Sequence, residues 1–226
     1  MRLTYYGHAA FSVETKGKNL LFDPFISPNP LAAHIKVADL RPDYILLSHA
    51  HGDHVADVET IARQSGATVV SIFEIADYYA QKGIQSTHPM NFGGAWDFDF
   101  GKVKMVQAAH SSVFPDGTYG GNPGGFIISN EEGAFYYAGD TALMMDMKIW
   151  GERYDFRFVV LPIGDNFTMG VEDAVTAARF LQAKRVVGVH YNTFPYIEID
   201  TEAAQRAFQA AGIDLLLPVI GETIEL

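Results

Sequence analysis

The sequence predicts a mixed α/β (α+β) fold in which two β-sheets pack face to face and helices cover their outer surfaces. Short β-rich segments occur in two runs along the chain, and helical segments follow each run. No low-complexity linker separates the runs. A length of 226 residues suits one large domain, so we expect a single domain over residues 1–226.

The first run is assigned from alternating or continuous apolar residues and from turn residues between them. Strands are predicted at Leu3–Tyr6, Ala10–Thr15, Asn19–Phe22, Tyr44–Leu47 and Thr68–Ile72. Pro24, Pro28 and Pro30 disfavour both helix and central strand in the segment that follows the third of these. Helices are predicted at Val55–Gln64 and Glu74–Lys82, which end next to Gly66 and Gly83.

The second run follows the same logic. Gly101-Lys102 and the segment Asn130–Gly133 form turns between paired strands. Strands are predicted at Trp96–Phe100, Val103–Ala108, Phe126–Ser129, Phe135–Ala138, Phe158–Leu161, Arg185–Val189, Leu215–Val219 and Thr223–Leu226. Helices are predicted at Val171–Leu181 and Thr201–Ala211. Pro218 suggests that the strand containing it lies at a sheet edge.

The bulk composition narrows the function classes. The formal net charge is −11, and no cluster of Lys and Arg occurs, so nucleic acid is not an expected partner. The chain has no Cys, which excludes disulfides, thiolate metal ligands and a Cys nucleophile. No apolar run is long enough for a signal peptide or a membrane span. We therefore expect a cytoplasmic protein that acts on a small molecule and has no membrane partner.

Six consecutive residues concentrate potential metal ligands. His49, His51, Asp53 and His54 follow the predicted strand Tyr44–Leu47, where sites of α/β proteins tend to lie. Imidazole and carboxylate groups ligate zinc and other first-row metals. So many titratable groups are costly to gather unless a cation binds the neutral rings and attracts the carboxylate. The plain alternative is a solvated polar loop, which seldom has this composition.

The spacing within the motif indicates two ions. His49 and His51 are separated by one residue, so in an extended segment they point the same way and can hold one ion together. Asp53 and His54 follow directly and suit a second ion beside the first. Because each ion needs about four donors, further ligands are required.

Three later residues each follow a predicted strand. His110 follows Val103–Ala108, Asp140 follows Phe135–Ala138, and His190 follows Arg185–Val189. Strand ends that each carry a potential ligand indicate one shared edge of the fold. Capping or surface polarity explains any one of the three taken alone, but the combination with the histidine motif favours ligands.

Three other polar residues have two interpretations each. His8 either packs in a turn or core or lines the site wall and bonds substrate. Asp23 either caps a loop or supports a ligand histidine from behind. Asn166 either donates a hydrogen bond to substrate or accepts the backbone of a tight turn.

The pattern His-x-His-x-Asp-His, followed by a distant His, an Asp after Gly and a last His, resembles the metallo-β-lactamase superfamily. More narrowly, four segments resemble a group of uncharacterised metal-dependent hydrolases that is similar to the ascorbate-phosphate lactonases. These segments are Gly7–Phe11, Leu21–Pro24, Gly120–Pro123 and Pro162–Gly170. The resemblance covers nearly the whole chain and implies a four-layer αββα sandwich.

The resemblance also implies a role for each ligand. His49, His51 and His110 would hold the first ion, Asp53, His54 and His190 the second, and Asp140 would bridge the two. Common zinc β-lactamases use a Cys ligand, which this chain lacks, so the resemblance does not extend to β-lactam turnover.

The expected function is metal-dependent hydrolysis of a small ester, lactone or phosphodiester. Two divalent ions, zinc first and manganese, iron or nickel otherwise, would lower the pKa of a shared water toward ~7 and supply a metal-activated hydroxide. Asp53, with His8 and Asn166 as candidate substrate contacts, would orient the water or carry a proton. The alternatives are a non-catalytic metal- or ligand-binding protein and an iron redox protein. Compact enzymes are commonly oligomers, which favours a homo-oligomer.

Overall fold

A computed structural model describes all 226 residues and has two seven-stranded sheets with helices outside them. In the first sheet the strands are β1 (Arg2–Gly7), β2 (Ala10–Thr15), β3 (Lys18–Phe22), β4 (Tyr44–Leu46), β5 (Thr68–Ile72), β6 (Thr87–Met90) and, from the end of the chain, β14 (Thr223–Glu225). Their order across the sheet is β14-β1-β2-β3-β4-β5-β6.

The second sheet comes from the later part of the chain. Its strands are β7 (Ala95–Phe98), β8 (Gly101–Gln107), β9 (Gly124–Asn130), β10 (Gly133–Tyr137), β11 (Phe156–Pro162), β12 (Arg185–Val189) and β13 (Asp214–Leu216). Their order is β13-β12-β11-β10-β9-β8-β7. Each sheet is therefore built from consecutive strands, apart from the return of β14 beside β1.

Six α-helices and three short 3₁₀ helices connect the strands. The α-helices are α1 (Gly52–Val55), α2 (Val58–Ser65), α3 (Phe73–Gln81), α4 (Asp146–Arg153), α5 (Val171–Phe180) and α6 (Thr201–Ala210). The 3₁₀ helices are Pro30–Ala32, Val37–Asp39 and Pro195–Ile197. None of the helices has the length and apolar character needed to cross a lipid bilayer.

Strand direction decides where the chemistry lies. β1 and β3 both pair antiparallel with β2, and β4 pairs parallel with β3, so these three strands end at the same sheet edge. In the second sheet β8 and β10 both pair antiparallel with β9, and β11 and β12 run parallel to β10. The carboxyl ends of β8, β10, β11 and β12 therefore also share one edge. The residue after β1 bonds to the residue after β12, so the two edges meet.

Both faces of the second sheet are buried. Phe135 and Tyr137 of β10 point into the core between the sheets, while Ala134 and Tyr136 pack under the outer helices. β11 alternates in the same way, with Phe158 inward. This is why these strands are nearly continuous apolar runs rather than strictly alternating ones.

The predicted two-sheet fold is confirmed, with local corrections. β6 was not predicted, because Pro89 argues against a strand, but β6 lies at a sheet edge, where a missing N–H is tolerated. Helix α4 was also not predicted, because the methionines before it do not recur at the spacing of a helix. The strand predicted at Leu215–Val219 is β13, which already ends at Leu216, two residues before Pro218.

We expect Gly151→Ala in α4 to destabilise the protein, although Ala normally favours a helix interior. A Cβ at Gly151 would lie 2.1 Å from the Phe180 carbonyl oxygen of the neighbouring helix α5. The two helices must separate to admit it, which costs about 1–3 kcal/mol. Urea unfolding measures the loss, and the exposed Glu152→Ala in the same helix is the control. Equal stability of both variants would contradict the close packing.

Candidate metal centre

The carboxyl ends of six strands converge on one cluster of polar side chains. The residues that they contribute are His8 after β1, Asp23 after β3, His49 after β4, His110 after β8, Asp140 after β10 and His190 after β12. Their convergence follows from the strand directions, because like-directed strands end at one edge. His51, Asp53 and His54 join the cluster from the segment that continues beyond His49.

The local backbone of the histidine motif explains how its side chains divide. His51 is extended and precedes α1, so it continues the line of His49 toward the same side. Asp53 and His54 lie in the single turn of α1, and the His54 amide donates to the His51 carbonyl at 2.9 Å. The change from extended chain to helix turns the second pair away from the first.

The first group of potential ligands is His49, His51 and His110, whose donor atoms all lie within 4.8 Å of one another. His49 Nε2 is 2.9 Å from His51 Nδ1. His49 is fully buried, whereas His51 and His110 are partly exposed. The first group is therefore open to solvent on one side.

The second group is Asp53, His54 and His190 together with His8, and its donor atoms also lie within 4.8 Å of one another. His190 Nε2 is 3.9 Å from Asp53 Oδ2. His8, His54 and His190 are buried, and the Asp53 side chain keeps 29% of its surface exposed. Sequence reasoning did not assign His8 to this group.

Asp140 lies between the two groups. Its Oδ2 is 3.9 Å from His49 Nε2 and 3.6 Å from His110 Nε2, both in the first group. The same oxygen is 3.3 Å from His54 Nε2 and 3.0 Å from His190 Nε2, both in the second group. One carboxylate oxygen thus faces both groups.

The residues present fit metal ions. Asp140 Oδ1, His54 Nε2 and His190 Nδ1 are buried and have no hydrogen-bond partner. Unpaired buried polar atoms are rare and destabilising in proteins. The donor nitrogens of His49, His51 and His110 also lie within 4.8 Å of one another, and imidazole with carboxylate is a donor set for zinc and related metals.

Asp23 supports two of the histidines, and its carboxylate lies within 4.8 Å of donor atoms of both His49 and His54. Its Oδ2 accepts hydrogen bonds from His54 Nδ1 at 2.9 Å, from the Tyr137 hydroxyl at 2.6 Å and from the Ser48 hydroxyl. The Ser48 hydroxyl in turn lies 2.9 Å from His49 Nδ1. The Nδ1 protons of His49 and His54 are therefore held, and both rings present Nε2 to the cluster.

The protein environment keeps most of the rings neutral. Burial lowers the pKa of His49, His51 and His110, and it lowers the pKa of His8 to about 4. Neutral imidazole is the form that ligates a metal. His54 differs: burial opposes its protonation, but the carboxylates of Asp140 and Asp23 raise its pKa well above the ordinary value.

The carboxylates of Asp53 and Asp140 stay ionised. Burial alone would raise the pKa of Asp140, but His190 and His54 hold that pKa well below its ordinary value. Burial also opposes ionisation of Asp53, yet the hydrogen bond from His8 and the charge of His54 lower its pKa. Negative charge is therefore concentrated where a cation would bind.

Two predicted site residues have surroundings that differ from those of the ligands. Asn166 is exposed and lies in a left-handed turn with φ +52°, and its backbone amide donates to Asp165 Oδ1. This geometry explains an Asn at the turn, and the substrate contact stays a prediction. His8 is buried and faces Asp53 rather than open solvent. His34 is exposed, and His88 lies in β6 against Trp96 and Phe98.

Sequence reasoning missed three residues that organise the cluster. Ser48 connects Asp23 to His49, Tyr137 donates to Asp23, and Thr193 lies 3.0 Å from His8 Nδ1. Ser48 was detectable because it directly precedes the motif. Nothing local marks Tyr137 or Thr193, because each reaches its partner from a strand or loop distant in sequence.

Comparison with known proteins identifies the family. A family model described as a beta-lactamase superfamily domain matches residues 18–191. A UPF0173 metal-dependent hydrolase of Flavobacterium johnsoniae is 56% identical over 226 residues and is covered completely by this chain, as this chain is by it. The UPF0173 metal-dependent hydrolase YtkL of Bacillus subtilis is 49% identical over 231 residues, again with both chains fully covered.

The chain belongs to the UPF0173 metal-dependent hydrolases of the β-lactamase superfamily. The predicted family resemblance is therefore confirmed. The UPF0173 chain is also similar to Igni18, a metallo hydrolase from Ignicoccus hospitalis, with 37% identity, a TM-score of 0.90, and 99% and 97% of the two chains covered.

More distant structures share the fold alone. An isothiocyanate hydrolase from Delia radicum gut bacteria is 22% identical with a TM-score of 0.80, over 100% of this chain and 99% of that one. The metallo-beta-lactamase fold protein YhfI of Bacillus subtilis is 14% identical with a TM-score of 0.75, over 99% and 98% of the chains. These similarities confirm the predicted metallo-β-lactamase sandwich for this UPF0173 protein.

We expect Asp23→Asn to weaken metal binding by ~10–100-fold, because it removes the carboxylate that holds the rings of His49 and His54. The Asn side chain would also place its NH₂ group, itself a hydrogen-bond donor, next to the three groups that donate to Asp23. Competition with a chelating dye measures the dissociation constants. Asp97→Asn, on the exposed edge strand β7, is the control and should bind metal normally. Normal affinity in Asp23→Asn would show that ring orientation does not depend on Asp23.

Proposed function

We propose that this UPF0173 protein hydrolyses a small ester, lactone or phosphodiester at a binuclear metal site with a metal-activated hydroxide. One observation carries the proposal: Asp140 Oδ2 lies 3.0–3.9 Å from nitrogens of four histidines that belong to two separate groups. An ion held by one group of ligands would contact the carboxylate from the side of that group only. A carboxylate oxygen shared by two groups is the arrangement expected of a bridging ligand.

The assignment of ligands follows the two groups. His49, His51 and His110 would hold one ion, and Asp53, His54 and His190 the other, with Asp140 in common. All the donor atoms are nitrogen or oxygen, which suits zinc, and manganese, iron or nickel are the alternatives. When bound, the metal pair supplies Lewis acidity and a nucleophilic hydroxide near neutral pH.

The chain's own residues determine how substrate reaches the cluster. His49, His54, Asp140 and His190 are buried, so they hold their positions and exclude water from behind. The Asp53 side chain is 29% exposed and that of His110 14% exposed, so the cluster opens on their side. Asp53 is thus placed to orient the attacking water.

The proposed substrate is small and is not a nucleic acid. The net charge of −11 disfavours long polyanions, because no cluster of Lys and Arg in the sequence offsets it. Hydrolysis of an acyl or phosphoryl centre needs the negative charge of the transition state to be stabilised close to the nucleophile. The cluster concentrates cation-binding groups in one place, which supports that class of reaction.

A panel assay tests the proposal. The metal-loaded protein is incubated with a phosphodiester, a lactone, a thioester and a β-lactam, and the first two are the expected substrates. The kcat/KM of Asp140→Ala should fall by more than the ~10–100-fold that is typical when a hydrogen-bond partner of a metal ligand is removed. It should also bind fewer ions, measured by elemental analysis. Asp97→Ala on β7 is the control. Full turnover by Asp140→Ala or by chelated protein would refute the metal mechanism.

A further inference from the structure

His8 is the one histidine of the cluster that the proposed ligand assignment does not use. Its side chain is buried between two polar partners. His8 Nε2 lies 3.1 Å from Asp53 Oδ2, and His8 Nδ1 lies 3.0 Å from the Thr193 hydroxyl. Both ring nitrogens are therefore engaged, and His8 connects a loop of the second sheet to the histidine motif of the first.

The position of one proton follows from these contacts. Asp53 Oδ2 only accepts hydrogen bonds, so the facing His8 Nε2 must carry a proton. The second ring nitrogen, His8 Nδ1, forms a hydrogen bond with the Thr193 hydroxyl, which also donates to the Tyr191 carbonyl at 3.3 Å. The result is a hydrogen-bonded chain that joins Thr193, His8 and Asp53.

This chain acts on the oxygen that faces the second group. Asp53 Oδ2 is 3.9 Å from His190 Nε2, whereas His190 is also 3.0 Å from Asp140. An oxygen that accepts one hydrogen bond from His8 keeps another lone pair for a cation. Holding the carboxylate in this rotamer removes a freedom that a partly exposed side chain on a short helical turn would otherwise keep.

The backbone at His8 and at its neighbour His190 has a strained conformation that supports this placement of the His8 ring. His8 and His190 both have left-handed backbones, with φ of +55° and +58°, and the His190 amide donates to the His8 carbonyl at 2.8 Å. Left-handed non-glycine residues are strained and tend to lie at functional sites. Phe25 and Phe194 pack edge-on against the His8 ring, at centroid distances of 5.5 and 5.2 Å. These contacts fix the ring plane.

We propose that His8 is a positioning residue, which is hydrogen-bonded to Thr193 and donates a hydrogen bond to Asp53, and so sets the affinity of the second group for its ion. The proposal rests on the proposed binuclear site. It assigns His8 neither a ligand role nor a contact with substrate. His8 thereby supports the second group as Asp23 supports His49 and His54.

A pair of substitutions at position 8 separates hydrogen bonding from packing. His8→Asn tolerates the left-handed backbone and can still reach Thr193, but it is too short to reach Asp53. His8→Gln is longer and can place an amide N–H near the position of Nε2. Thr193→Val removes the hydroxyl while keeping the side-chain shape. The metal-free variants are first compared by thermal unfolding, so that metal binding is measured only on folded protein.

Co²⁺ titration of the full chain is the test, with the dissociation constant of each ion and the visible absorption spectrum as readouts. We expect His8→Asn to weaken the second ion by ~10–100-fold and leave the first unchanged. His8→Gln should recover most of this loss, and Thr193→Val should show a smaller loss. The coordination spectrum of the saturated protein should keep its intensity, because no ligand is removed.

The contrary results are distinct. If His8→Asn binds the second ion as tightly as the unsubstituted protein does, the positioning role alone is overturned. His8→Gln as weak as His8→Asn, with an altered saturated Co²⁺ spectrum, would overturn it in favour of direct ligation by His8. If the unsubstituted protein binds only one ion, the binuclear proposal itself fails, and the positioning role fails with it.

Discussion

The buried carboxylate of Asp23 is the interaction on which both the packing and the chemistry of this protein depend. A carboxylate without exposure to water is strongly destabilising unless hydrogen bonds replace the water. Here the donors come from Ser48 after β4, from His54 in α1 and from Tyr137 in the opposite sheet. The same contacts that satisfy the charge therefore join the two sheets and set the tautomers of two potential metal ligands.

Strand direction is the second constraint. Each sheet changes from antiparallel to parallel pairing, and the polar residues come from the edge at which like-directed strands end. The chain must turn sharply at this edge while it keeps each side chain aimed inward. Six of the eight non-glycine residues with positive φ lie just after strands at this edge, which are His8, Asp23, Asp165, Asn166, His190 and Asn192. Backbone strain is thus concentrated beside the cluster and not in the core.

The electrostatics of the cluster follow from its burial. Most of the rings are neutral and the carboxylates of Asp53 and Asp140 are ionised, so the protein alone leaves negative charge and unpaired polar atoms in one place. A cation would balance this charge, and the cluster is able to bind one in a chain that belongs to the UPF0173 metal-dependent hydrolases. The two groups differ in surroundings, since the first is partly open and the second is braced from behind by Asp23 and His8.

Local sequence determined most strands and helices, the two-sheet architecture and the types of residue in the cluster, because apolar periodicity and the spacing of the histidine motif are short-range signals. It could not reveal β6, whose pairing with β5 outweighs Pro89, or α4, whose helix depends on packing against α5. Only the tertiary structure decided that Asp140 faces both groups, that Tyr137 serves Asp23 and that His8 meets Asp53. These contacts join residues far apart in the chain, and they exist only where two sheets bring their strand ends together.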